Sequence, residues 1–206
     1  MIAQSSGKMN SKDKKKELRE DVLDHFERIA PEYDNYKQNS HYYYSRLKNL
    51  LKQLVPDHQA TDILEVGCGT GALLFDLNPK SGLGIDISPK MIDLANSRNI
   101  DPDRFSFLVG DAESVVLEQK WNVAILADVL EHLYDPESAI NNLSKSLVPE
   151  GILVLTWANS IWEPVLHLLE KLKMKMPEGA HNWEGRQTVT GYLEKNNFRV
   201  LKEGTR

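Results

Sequence analysis

The stretch DILEVGCGTGALLFDL, residues 62–77, runs an apolar segment directly into three glycines at alternate positions, Gly67, Gly69 and Gly71, and then into a helical pattern. Glycine lacks a Cβ, so it adopts positive φ without strain and lets a ligand rest on the backbone. A helix starting just beyond such a loop aims its free N–H groups and the positive end of its dipole at the same place, which suits a carboxylate or a phosphate. The stretch therefore predicts a strand, a bare loop and a helix that together cradle a polar, partly anionic ligand.

Outward from this stretch, strand-like and helix-like segments alternate. TDILEV is followed by GALLFDL, GLGIDI by PKMIDLANS, and FSFLVG leads to WNVAILA with PESAINNLSKSL behind it; GILVLTW, TVTGYLEKNN and FRVLKEG complete the series. Continuous apolar runs bracketed by Gly, Pro and Asp, separated by helical patterns, are the signature of a parallel sheet covered on both faces. The prediction is an α/β fold, a doubly wound, mostly parallel sheet with helices on both faces. Residues 1–20, rich in Ser, Lys and Asn, read as a flexible tail. Residues 21–56 read as an N-terminal helical cap: a helix stopped at Pro31, then one whose Tyr43, Leu47, Leu50, Leu51 and Leu54 share a face. Residues 57–206 form the α/β domain, with an insert at about 158–187 whose length suits a cap over a site.

Composition excludes several classes. A net charge of -5 argues against a general nucleic-acid binder. The single cysteine, Cys68, rules out an intramolecular disulfide and a CxxC metal site, and no metal is expected. The N-terminus has no signal-like apolar core, and no apolar run reaches the length of a membrane span, so the protein reads as cytoplasmic. The lysines of KLKMKM, 171–176, read as a solvated face, with contact to an acidic substrate or a membrane surface as the alternative.

The ligand is not settled by the glycines. GCGTGA fits the dinucleotide fingerprint, and Asp86 follows Gly67 by 19 residues, near the spacing of a ribose-binding acid. The loop is thus open between a dinucleotide and another adenosine-containing cofactor. Three features favour the second. Glu65, at the end of the first strand, suits a cationic amino group and repels a pyrophosphate. LVGDAE sets Asp111 and Ala112 beyond the third strand, where they can meet an adenine edge, and ADVLEHLYDP closes the next strand beside the same crevice.

Taken in order and spacing, LEVGCGTG, GIDIS, GDAE and ADVLEHLYDP resemble the class I S-adenosylmethionine-dependent methyltransferases, especially their quinone-biosynthesis and small-molecule branch. The resemblance covers about residues 24–203, because HFERIAPEYDNY also looks like the N-terminal helix of that branch. It implies a Rossmann-like fold with S-adenosyl-L-methionine as cofactor. Gly67, Gly69 and Gly71 would line the methionine half, with Glu65 beneath. Asp86 would take the ribose hydroxyls, Ile87 would lie on the adenine face, and Asp111 and the Ala112 N–H would meet the adenine edge. Ala127 would offer backbone to the methionine end, and Tyr33 would close the site. Cys68, inside the loop, reads as a small buried filler and not as a nucleophile. Such domains usually finish with an antiparallel seventh strand. FRVLKEG stands only a few residues from Arg206, so that strand is expected to be missing and a sheet edge left exposed.

Methyl transfer from a sulfonium is an in-line displacement that needs alignment more than a catalytic triad. A hydroxyl or phenol acceptor also needs a base, and the candidates are His132 and His181; for His132 the favoured reading is a histidine that packs against or caps the helix after the fourth strand, whereas His181 stands before the last helix in a loop that can reach the acceptor pocket. The expected activity is methylation of a small-molecule O- or C-nucleophile, apolar or lipid-linked if Trp157, Trp162, Met174, Met176 and Trp183 line its pocket instead of a core. The competing functions are an NAD(P)-dependent oxidoreductase and a non-catalytic cofactor-binding regulatory subunit.

Overall fold

The computed structural model describes residues 10–39, 41–55, 57–157 and 184–204. In chain order the elements are α1 (Ser11–Ile29), a 3-10 turn (Ala30–Glu32), α2 (Tyr33–Asn39), α3 (His41–Leu54), β1 (Asp62–Val66), α4 (Ala72–Leu77), β2 (Ser81–Asp86), α5 (Pro89–Arg98) and β3 (Phe105–Val109). After them come β4 (Trp121–Ala127), a 3-10 turn (Leu130–His132), α6 (Pro136–Ser146), β5 (Leu147–Thr156) and α7 (Arg186–Lys195). The strands form one sheet in the order β3-β2-β1-β4-β5, and every pairing is parallel. The order reverses between β1 and β4, which leaves a crevice beyond their carboxyl ends.

The two-residue period of each strand divides the core into two layers. Leu64, Leu83, Ala124 and Leu126 face α6 and α7 through Ile140, Leu143 and Val189. Ile63, Val123, Ile125 and Val154 face the opposite side, where α3 contributes Leu47 and Leu51 and α5 contributes Ile92 and Ala95. This is the doubly wound arrangement the apolar runs predict. Local signals start the helices: Ser88 accepts from Met91 N at 3.2 Å to cap α5, and Asp135 accepts from Ser138 N at 3.1 Å to cap α6, each with proline in the first turn.

Two details depart from the sequence-based expectations. Helix α1 begins at Ser11, within the segment predicted to be a flexible tail, and Asn10 caps it by accepting from Asp13 N at 2.9 Å. Composition misleads there because the polar residues of α1 find charged partners on the α/β domain instead of an apolar face. FRVLKEG is not a strand; residues 198–204 have no regular structure, and Val200 and Leu201 are exposed. The strand-like apolar alternation is present, but β5 has no hydrogen-bonded neighbour on its outer side among the described residues. Most of the predicted cap insert, with His181, Trp162 and Trp183, lies outside the described residues.

Leu126 is fully buried between β1, β5 and α6. Leu126→Ala is expected to lower the unfolding free energy by about 2–5 kcal/mol, read from the urea midpoint at unchanged slope.

Candidate functional site

The loop after β1 turns on backbone geometry that only glycine accepts readily. Gly67, Gly69 and Gly71 have φ of 75°, 53° and 74°. A Cβ on Gly67 would collide with Val129, and one on Gly69 would lie 3.0 Å from Tyr33 Cε1. Gly67 N and Cys68 N both donate to Ile85 O, at 2.7 and 3.0 Å, so the loop stays joined to β2 after the β1 ladder ends.

Asp86, at the end of β2, accepts from Gly69 N at 2.8 Å and from Ser88 N at 2.9 Å. Its carboxylate thus joins the glycine loop to the start of α5. Burial raises its pKa above the ordinary range, and these backbone donors only partly oppose that. Glu65, one strand over, is 3% exposed, and its Oε2 is buried with no hydrogen-bond partner among the described residues. Burial pushes its pKa up to about 8, against the lowering field of Lys37. Leaving one oxygen of a buried carboxylate unpartnered is costly, and a cation placed beside it would lower that cost.

Helix α2 forms the wall opposite the loop. Asp34 accepts from Thr70 Oγ1 at 2.8 Å and pairs with Arg98, pinning α2 over the glycines. Tyr33 thereby rests on Gly69, and burial together with Asp86, Asp128, Glu65 and Asp34 raises its phenol. Lys37 Nζ stands 4.5 Å from the Tyr33 ring centroid and 5.0 Å from that of Tyr44. Its charge lowers the pKa of both Glu65 and Asp86, a role the sequence alone does not single out.

Of the remaining predicted residues, Ile87 follows Asp86 at the mouth, and Asp111 and Ala112 lie beyond β3, with Asp111 Oδ1 accepting from Glu113 N at 2.9 Å. Ala127 ends β4 in the same cleft. Cys68 is buried against Gly84, and burial pushes its thiol pKa well above the usual value, which withholds the thiolate a nucleophile needs. His132 lines the cleft with its ring edge against Phe26 of α1, 5.3 Å between centroids.

A polar cluster joins the ends of β4 and β5 around Asp128, which lies within ADVLEHLYDP but is not singled out by that motif. Asp128, with φ of 56°, accepts from Thr156 Oγ1 at 2.8 Å and from the Tyr43 hydroxyl. Its backbone N–H donates to Thr156 O at 2.9 Å. A non-glycine residue at positive φ beside a cleft is the available signal, and it is visible only in coordinates. The cleft therefore combines a buried acid with one unpartnered oxygen at the end of β1, a second buried acid at the end of β2, a third acid beyond β3 and a polar cluster at the ends of β4 and β5. No helix of the described residues is long and apolar enough to cross a membrane.

Residues 38–203 match the family model described as a methyltransferase domain. The chain is 30% identical over 161 residues to malonyl-[acyl-carrier protein] O-methyltransferase of Acetivibrio thermocellus, covering 75% of this chain and 56% of that protein. It is 30% identical over 172 residues to the human mitochondrial ubiquinone biosynthesis O-methyltransferase, covering 74% of this chain and 46% of that one. The chain spans about half the length of the curated relatives it matches. Among solved structures, magnesium protoporphyrin IX methyltransferase from Synechocystis PCC 6803, with S-adenosylhomocysteine bound, superposes with a TM-score of 0.72 at 18% identity, over 89% of this chain and 90% of that one. The fold is shared with it.

The raised pKa of Glu65 has a consequence for stability. Its folded value, about 8, exceeds the ordinary 4.5, so its contribution is fully present below 4.5 and is lost as pH rises through about 8. The raised Asp86 acts with the same sign. The melting temperature of the ligand-free protein is expected to fall between pH 5 and pH 8, and Glu65→Gln is expected to flatten that slope in scanning calorimetry.

Proposed function

The chain belongs to the class I S-adenosylmethionine-dependent methyltransferases, and from that premise we propose that it transfers the methyl group of S-adenosyl-L-methionine to a small-molecule acceptor. The observation that carries this is Glu65, a carboxylate buried at the end of β1 with an unsatisfied oxygen. The amino group of the cofactor's methionine end is the cation that fits it, whereas a pyrophosphate there would face repulsion, so a dinucleotide cofactor is set aside.

The remaining assignments extend from Glu65. The glycine loop takes the methionine backbone, and Lys37 supplies the cation for its carboxylate. Asp86 accepts from the ribose hydroxyls while keeping its bonds to Gly69 and Ser88; a carboxylate has about four acceptor positions. Ile87 packs on adenine, Asp111 accepts from the 6-amino group and the Ala112 N–H meets a ring nitrogen. Ala127 and Tyr33 bound the space beside the sulfur, and Cys68 fills the floor. The cofactor supplies an activated methyl on a sulfonium; the protein holds it in line with the acceptor, and such alignment is worth about 7–11 kcal/mol of barrier.

An oxygen acceptor is supported by two observations. The Asp128, Tyr43 and Thr156 cluster sets polar groups at the mouth, and the two relatives named above are O-methyltransferases. A carbon nucleophile is the alternative within the same chemistry. His132 and His181 are the proposed bases for a protonated acceptor. The edge contact with Phe26 orients the His132 ring in the cleft.

Calorimetric titration with S-adenosylmethionine, S-adenosylhomocysteine and NADH tests the cofactor. The first two are expected to bind and NADH to remain silent. Asp86→Ala should weaken binding by about 100-fold, because it removes charge-assisted acceptors; NADH binding alone would refute the proposal. At pH 7 binding should also release a proton from Glu65, since the ligand's ammonium favours the ionised form of a group whose free pKa is about 8. The measured heat will then vary with the ionisation enthalpy of the buffer, and Glu65→Gln will remove that variation.

A further inference from the structure

Helix α1 crosses the carboxyl ends of β2 and β3, yet it precedes residue 38, where the family match begins. Its C-terminal half is fastened by burial of Val22, His25 and Ile29. Glu27 adds to this by accepting from Ser88 Oγ at 2.6 Å and Lys90 N at 2.9 Å, at the start of α5. The N-terminal half, from Ser11 to Asp21, has Leu18 as its one apolar residue. Ion pairs hold it instead: Arg19 Nε lies 3.0 Å from Asp111 Oδ2, and Lys15 Nζ lies 2.7 Å from Glu113 Oε2.

Both pairs join a half-exposed base to a nearly buried acid, with side-chain exposures of 56% and 11% in the first and 41% and 7% in the second. Exposed pairs contribute little to stability, so their placement is more informative than their strength. They converge on the loop beyond β3 to which the adenine edge is assigned. Glu113 also accepts from Tyr134 N at 2.8 Å and Asp135 N at 3.2 Å, so Lys15 braces the loop after β4 as well. Asp111 Oδ1 accepts from the Glu113 N–H, and Oδ2 is ion-paired with Arg19. One acceptor position on each remains for a donor in the cleft. Without Arg19 the carboxylate keeps only its local turn bond and is free to rotate toward water.

We propose that Arg19 is a positioning residue for nucleoside recognition, clamping the Asp111 carboxylate in the orientation that accepts the 6-amino hydrogen of adenine. Helix α1, outside the matched methyltransferase segment, thereby sets the preference for an adenine nucleoside over one with an acceptor at that position. The proposal rests on the assignment of adenine to Asp111 made above.

The test compares affinities of the full chain for S-adenosylhomocysteine and S-inosylhomocysteine, which carries a carbonyl in place of the 6-amino group. Wild type, Arg19→Ala, Asp111→Asn, the double variant and Lys15→Ala are titrated at equal salt. Wild type should favour the adenine ligand by about tenfold or more, as a hydrogen bond to a charged group implies. Arg19→Ala should reduce that ratio below about threefold by weakening mainly the adenine ligand. The double variant should be no worse than Asp111→Asn, because the two residues act as one unit. Lys15→Ala should keep the wild-type ratio. A purely structural Arg19 would lower the melting temperature and weaken both ligands equally; that result, or a ratio unchanged or increased in Arg19→Ala, overturns the proposal. If Asp111→Asn also keeps the ratio, the placing of adenine fails; if Asp111→Asn loses it while Arg19→Ala keeps it, only the role of Arg19 fails.

Discussion

The cleft depends on the Asp86 carboxylate, which accepts one backbone N–H from the glycine loop and another from the start of α5. Through these two bonds the end of β2 sets the position of the loop that follows β1, and with it the start of α4. The ladder makes this precise, because Val66 pairs with Ile85 and Gly67 N then continues to Ile85 O. A buried acid held in this way is raised in pKa by desolvation and still offers acceptor positions to a ligand. The same residue therefore organises the backbone and presents the site.

Around that point the fold accepts local cost in exchange for a preorganised cleft. Glu65 is buried without a full set of partners, three glycines take positive φ, and Asp128 adopts a conformation uncommon for a residue with a Cβ. All of these lie at the carboxyl ends of adjacent strands, while the two faces of the sheet carry clusters of buried apolar side chains. Such segregation lets the core tolerate strain at the ligand end. The N-terminal helices complete the enclosure from outside the sheet, with α2 pinned through Asp34 and α1 through Glu27, Arg19 and Lys15.

Much of the cleft's framework was legible in the sequence because its determinants are local. Strand, glycine loop and helix follow one another within sixteen residues, and an acid at the end of each of two strands occupies a fixed offset from its own apolar run. The N-terminal segment was misjudged for the converse reason. From Ser11 to Asp21 it is nearly devoid of apolar residues, and composition cannot show that Lys15 and Arg19 meet Glu113 and Asp111 some ninety positions later. FRVLKEG was misjudged because apolar alternation signals a strand only where a neighbouring edge accepts the pairing.

By itself the sequence determined the fold class, the location of the crevice and the character of its floor, because hydrophobic period and glycine placement are encoded within short windows. Tertiary structure alone decided that Lys37 stands between two tyrosine rings near Glu65, that Asp128 joins Tyr43 and Thr156, and that α1 reaches the acids beyond β3. Each of these depends on the approach of elements distant in the chain, and the relevant charges and hydroxyls carry no periodic signal. Their partners become defined only once the packed sheet fixes where each strand ends.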